Sequence, residues 1–180
     1  MPGSVEHLTD TAINVVDYLK SDGMGRTRRY VLDVPSLDLD RDLVARAVHA
    51  EFRLLRVGAG VLAEGVARAV VDLECVRTLD LFPQPIEAEF AEQFRPTIDL
   101  ATGRAIEYDE DDPNDEPEVF PVGDNHEIDL REPLRQVLLV ALPMQPVKPG
   151  TEPVILDETT PDEAANPFAV LEALLRDEGE

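Results

Sequence analysis

Residues 43–57 read LVARAVHAEFRLLRV, and their alternation decides the fold. Val48, Ala50, Phe52 and Leu54 fall on one side of an extended chain and His49, Glu51 and Arg53 on the other, because successive strand side chains point to opposite faces. This is a strand with one face in a core and one in water. Gly58 and Gly60 supply a turn or bulge. Residues 61–75 follow as a second long strand, with Val71, Leu73 and Cys75 on one parity and Asp72 and Glu74 on the other. A third strand runs through Ile86, Ala88, Phe90 and Phe94, opposed by Glu87, Glu89 and Gln93. Consecutive half-buried strands of this kind form an antiparallel meander.

Outward from that centre the signals are shorter. Upstream, Ile13 and Val15 suggest an extended piece and Val16 with Leu19 a helical turn, which two glycines in 21–25 then break. Residues 28–34 read as a strand, and Pro35 with the following Asp/Leu repeat reads as a connection. Downstream, 96–125 loses periodicity and is expected to be an acidic mobile loop that supplies no core. Asp129 with Glu132 has the spacing of a capping box, ahead of a helical stripe of Leu130, Leu134, Val137, Leu138 and Ala141 that Pro143 ends. Residues 144–165 read as a Pro-rich acidic linker to a closing helix over 166–178, with Asn166 as cap and Pro167 at its first position. Three long consecutive strands need closure or cover. The expected fold is therefore α+β: an antiparallel β-meander, strongly curved or barrel-like, with a short N-terminal helix and C-terminal helices, in one domain over 1–180.

At 43% hydrophobic residues, a chain of 180 has enough apolar material for one core. No apolar run approaches the length of a membrane helix, and Glu6 and Asp10 interrupt any basic-then-apolar leader. With Cys75 the single cysteine, no internal disulfide can form. These features lead us to expect a cytoplasmic protein with no membrane partner. The net charge of -22 is concentrated in two segments: 107–118 holds eight acids and no base, and 151–180 holds nine acids against Arg176. The rest is only mildly acidic, which leaves room for a local basic face while disfavouring tight, non-specific nucleic-acid binding.

Enzyme signatures are scarce. There is no P-loop, no H-E-x-x-H and no G-x-S-x-G. Gly58, Gly60 and Gly65 lie between two antiparallel strands and do not open a helix, so they lack the context of a phosphate-binding loop. The parity of Cys75 places it among buried residues, where a free cysteine behaves as a small hydrophobe. Together with the scattered His7, His49 and His126 it offers no zinc spacing. No cofactor, metal or small-molecule substrate is expected. The basic cluster is Arg26, Arg28 and Arg29, with Tyr30 beside it to stack on a base. The candidate contacts for RNA or another partner in this cluster are thus Arg26, Arg28, Arg29 and Tyr30.

The order of these pieces resembles the YceD family, the large ribosomal RNA subunit accumulation proteins, which also have a plant plastid branch. Ile13-Asn14-Val15 with Leu19, then Gly25, Arg28 and Tyr30, is similar to the family's opening strand and turn. Arg56 with Gly60-Val61-Leu62 and Gly65 is similar to its central hairpin, and Leu73-Glu74-Cys75-Val76-Arg77-Thr78-Leu79 to its C-x-R-C-L segment. Residues 138–143 with Pro146 resemble its "LALP" helix end, and Asn166-Pro167-Phe168-Ala169-Val170-Leu171 its closing helix. Thr78 stands where many members have a second cysteine, and the segment after Pro146 lacks their further cysteines, so no metal clasp carries over. Cys75 and Arg77 carry over as motif positions, and the resemblance adds Arg77 to the candidate contacts for RNA or another partner. By parity, Arg77 either pairs internally or is turned outward by a bulge near Val76.

The resemblance implies a non-catalytic accessory factor in accumulation and processing of large-subunit (23S) ribosomal RNA during ribosome biogenesis. Such a factor acts by binding the rRNA precursor or a basic ribosomal protein. The alternative is a metal-dependent ribonuclease acting on precursor rRNA, for which Asp72, Glu74 and Asp80 are the carboxylates of near-matching parity.

Overall fold

The computed structural model describes residues 5–20, 26–99, 102–106, 119–123 and 125–151. The chain divides into units 1–148 and 149–180. The acidic run 107–118, the linker beyond 151 and the expected helix over 166–178 lie outside the described residues.

Four consecutive antiparallel strands build the centre. β1 (Val5–Leu8), β2 (Ala12–Asn14) and α1 (Val16–Leu19) precede β3 (Thr27–Asp40), β4 (Leu43–Val57), β5 (Gly60–Glu74) and β6 (Leu81–Pro96); β7 (Phe120–Val122), β8 (Glu127–Asp129) and α2 (Arg131–Val140) follow. The main sheet runs β1-β3-β4-β5-β6-β7, with antiparallel pairing from β3 to β6 and short parallel strands at both edges. This sheet is open. The expected meander is present, but the strands do not close into a barrel, because β1 and β7 end the sheet without meeting. The short helix and strand expected before residue 20 are α1 and β2.

One face of the sheet carries the core. Tyr30, Leu32, Phe52, Leu54, Ala67, Val71, Ile86, Phe90 and Phe94 point to it and are buried. Cover comes from α1 (Tyr18), from the two-stranded β2-β8 pair (Ile13 beside Ile128) and from α2 with Leu134 and Leu138. Burying each such large side chain contributes roughly 1.5–3 kcal/mol. Gly58, with φ 58°, makes the tight β4-β5 turn. Gly65 serves a different need. A Cβ there would collide with the Glu51 carbonyl and the Phe52 backbone, and its absence lets the Phe52 ring stack on Tyr30 at 5.5 Å and meet Phe90 at 6.0 Å across the strand.

Two sequence expectations change here. The Asp/Leu repeat after Pro35 is not a connection but the far half of β3, with Leu37 and Leu39 buried and Asp38 and Asp40 exposed. It was hidden by a shift of phase: Pro35 and Ser36 in β3, and Arg46 and Ala47 in β4, are exposed in succession, and the register against β5 slips between Arg46 and His49. Ala47 takes φ 49° to allow this bulge. Residues 119–123, expected to supply no core, contain β7, whose Val122 is 1% exposed.

Candidate partner-binding surfaces

The structure separates the predicted basic cluster. Arg26 and Arg28 turn toward α1, where Asp17 accepts Arg26 at 3.2 Å, Arg28 at 3.6 Å and Lys20 at 3.2 Å. Lys20, then Arg26 and Arg28, hold the Asp17 carboxyl below its usual range. Arg56, which sequence reasoning did not single out, donates to the Lys20 carbonyl and so joins this group. Three cations therefore share one carboxylate at the α1 end of the sheet, with Arg56 held beside them by the Lys20 carbonyl.

Arg29 points the other way, to the open face, opposite Arg53 of β4. Tyr30 is not a stacking platform. It is 3% exposed, and its hydroxyl lies 3.1 Å from that of Tyr18 in the core. Burial, then the Tyr30 hydroxyl, pushes the Tyr18 phenol up.

The open face is a field of charges sorted by cross-strand register. Arg53 pairs with Glu64, Arg46 with Asp72 at 2.5 Å, and Arg68 with Glu87 at 2.6 Å. His49 places Nδ1 2.7 Å from Asp33 and Nε2 3.2 Å from Glu51, and these two hydrogen bonds, Asp33 first, raise its pKa. On this face β5 and β6 contribute Glu64, Asp72, Glu74, Glu87 and Glu89 against the cations Arg68 and Arg95. Glu89 has no ion pair among the described residues. A hollow of about 660 Å³ crosses this face, walled by Arg29, Arg53 and Glu64 on one side and Val31, Glu51 and Glu89 on the other.

The family motif lies at the far end of β5. The strand stops at Glu74, so alternation does not extend to Arg77, which sits exposed in the turn; neither an internal pair nor a strand bulge places it there. Cys75 is fully buried, as its parity predicted, yet it stands apart from the hydrophobic core. The Lys148 backbone N–H donates to its Sγ at 3.4 Å, and Val76 N–H reaches the Pro146 carbonyl at 3.0 Å. The Lys148 amide, the Thr78 hydroxyl and the Arg77 and Thr78 amides lower the thiol to about 6. Cys75 is thus buried as a small side chain, but its sulfur also accepts from the Lys148 amide, and with the Val76–Pro146 bond this fastens 146–148 to the turn.

The carboxylates of the ribonuclease alternative do not converge. Asp72 is bound to Arg46 and Asp80 to Lys148 at 3.2 Å. Among the described residues, no three metal-binding side chains are grouped to hold an ion, and no helix is long and apolar enough to cross a membrane.

This geometry defines a one-sided sheet domain whose covered face is a core and whose open face is a charged, solvent-facing surface. The model of the family described as large ribosomal RNA subunit accumulation protein YceD matches residues 63–175, and the chain belongs to that family. Comparison with curated proteins and with solved structures finds no match.

Proposed function

We propose that this protein is a non-catalytic accessory factor in the accumulation and processing of large-subunit ribosomal RNA, working in the cytoplasm by docking a basic protein of the assembling subunit. Membership of the family supports the process. The observation that favours a protein partner is the outward surface of β5 and β6, where carboxylates outnumber cations. Phosphate would be repelled there, whereas a basic surface gains encounter rate and selectivity. A second reading has its own observation. Lys20, Arg26 and Arg28 gather on Asp17 with net positive charge, Arg56 is bonded to the Lys20 carbonyl, and this end is where RNA would sit.

Depletion in the native host, with measurement of large-subunit rRNA amount and end-processing relative to small-subunit rRNA, tests the process. A selective loss or an unprocessed precursor is expected, and an unchanged ratio discards the reading. Complementation separates the two surfaces. Reversal of Arg28 and Arg56 to Glu abolishes rescue if RNA binds at α1, while Glu87→Gln with Glu89→Gln abolishes it if a basic protein docks on the sheet.

A further inference from the structure

β6 has two edges with different fates. The inner edge is paired with β5 along its length, from Glu74 opposite Leu81 to Val61 opposite Phe94. The outer edge meets β7 only at Phe94, Arg95 and Pro96, and among the described residues no strand pairs with it from Leu81 to Gln93. The Cys75 N–H donates to the Asp80 carbonyl at 2.9 Å, which fixes the phase of the ladder. Even-numbered residues of β6 turn their backbone groups to β5, so odd-numbered ones turn theirs outward. Pro83 and Pro85 are odd. They place donor-less nitrogens on the outer edge, a common way to blunt an edge against pairing. Beyond them the blunting stops, and Glu87, Glu89, Ala91 and Gln93 each direct an N–H and a carbonyl outward.

We infer that this edge, from Glu87 to Gln93, accepts an extended basic segment of a partner protein as an added strand. The inference rests on the proposed docking of a basic protein and names where and how that partner engages. Strand addition draws affinity from main-chain hydrogen bonds and selectivity from alternate side chains. The prolines at one end and β7 at the other leave a window of seven residues, roughly 23 Å of extended chain. Charge selects the occupant. The side chains of Glu87 and Glu89 lie on the open face beside the edge; Arg68 pairs with Glu87 at 2.6 Å and reaches Glu51 at 4.0 Å, and Glu89 has no ion pair among the described residues. Lys or Arg at alternate positions of an incoming strand would stand next to them. A second copy brings Glu89 against like charge, and the acidic run 107–118 carries the same sign as the edge.

The test uses the full chain and a fluorescent (Lys-Val)4 octapeptide followed by anisotropy, with backbone amide exchange read by NMR. The expected result is saturable binding, with new protection at the amides of Glu87, Glu89 and Ala91. Ala91→Pro removes one outward donor at a position type the strand already fills with proline, and weakens binding about tenfold. Glu89→Lys weakens it comparably at low salt without touching the backbone. Circular dichroism establishes that both variants are folded. Equal binding of a peptide N-methylated at alternate residues overturns strand addition in favour of charge attraction alone. No binding, protection elsewhere, amides already protected in the free chain, or a dimer dispersed by Ala91→Pro each overturn the inference as well. All of these readouts are independent of rRNA levels, so the edge can fail while the role in rRNA accumulation stands, and the reverse.

Discussion

The covered and open faces of the main sheet are built from the same strands, residue by residue in alternation, yet they have opposite design. On the covered face Phe52 touches Tyr30 and Phe90 and is nearly sealed from water. One residue away, Glu51 and Arg53 stand in solvent, paired with the exposed Arg68 and the half-buried Glu64. Packing energy grows with apolar area removed from water, whereas exposed ion pairs contribute little because water and salt screen them. The covered face therefore sets stability, and the open face is free to be shaped for recognition.

The sharpest attempt to break this contrast is a truncation on each side. Phe52→Ala removes the middle ring of the aromatic row and is expected to cost about 3–5 kcal/mol in urea unfolding, the range for an aromatic cavity in a core. Glu51→Ala, its neighbour, is expected to change stability by no more than about 0.5 kcal/mol. Equal losses would mean that the open-face network is structural after all. A smaller effect is expected where the two faces meet in one backbone. Gly65→Ala adds a single methyl that points at the Glu51 carbonyl and the Phe52 backbone, and strain of this kind costs roughly 1–3 kcal/mol. An unchanged midpoint would show that β4 and β5 move apart freely and that the close approach has no energetic role.

The same contrast explains what was readable in the sequence. The alternation around Phe52, Ala67 and Phe90 states directly which face is buried, and the Leu130, Leu134 and Leu138 stripe states which side of α2 covers it. Signals that depend on two distant segments are silent in a linear reading. The Ala47 bulge is visible only as a mismatch with β5, and it disguised the Leu37 and Leu39 half of β3. β7 is three residues whose strand character comes from pairing with β6. Among site residues, Arg26 and Arg28 do lie together, at Asp17, whereas Arg29 turns to the other face and Tyr30 is buried against Tyr18, a partner that a linear reading does not show. The burial of Cys75 is legible from parity, and its sulfur contact with Lys148, 73 positions away, is not.

The smallest expected effect lies wholly on the open face, at His49. Both ring nitrogens meet carboxylates, Asp33 and Glu51, so the imidazolium is favoured and the folded pKa stands above the ordinary 6.5. Arg68 opposes this, reaching Glu51 at 4.0 Å. A raised pKa means that the folded state binds the proton more tightly than the unfolded chain. The stabilisation is then fully present below the unfolded value, and it is lost as pH rises through the folded one. With the ring about one-third exposed and both carboxylates more so, the contribution is on the order of 0.5 kcal/mol. Thermal melts of the parent and His49→Gln at successive pH values check it. The parent's advantage should be largest below about pH 6 and should vanish as His49 loses its proton, and it should shrink with added salt. An advantage that persisted unchanged to high pH would show that His49 contributes packing and not charge, and that this part of the open face belongs energetically with the covered one.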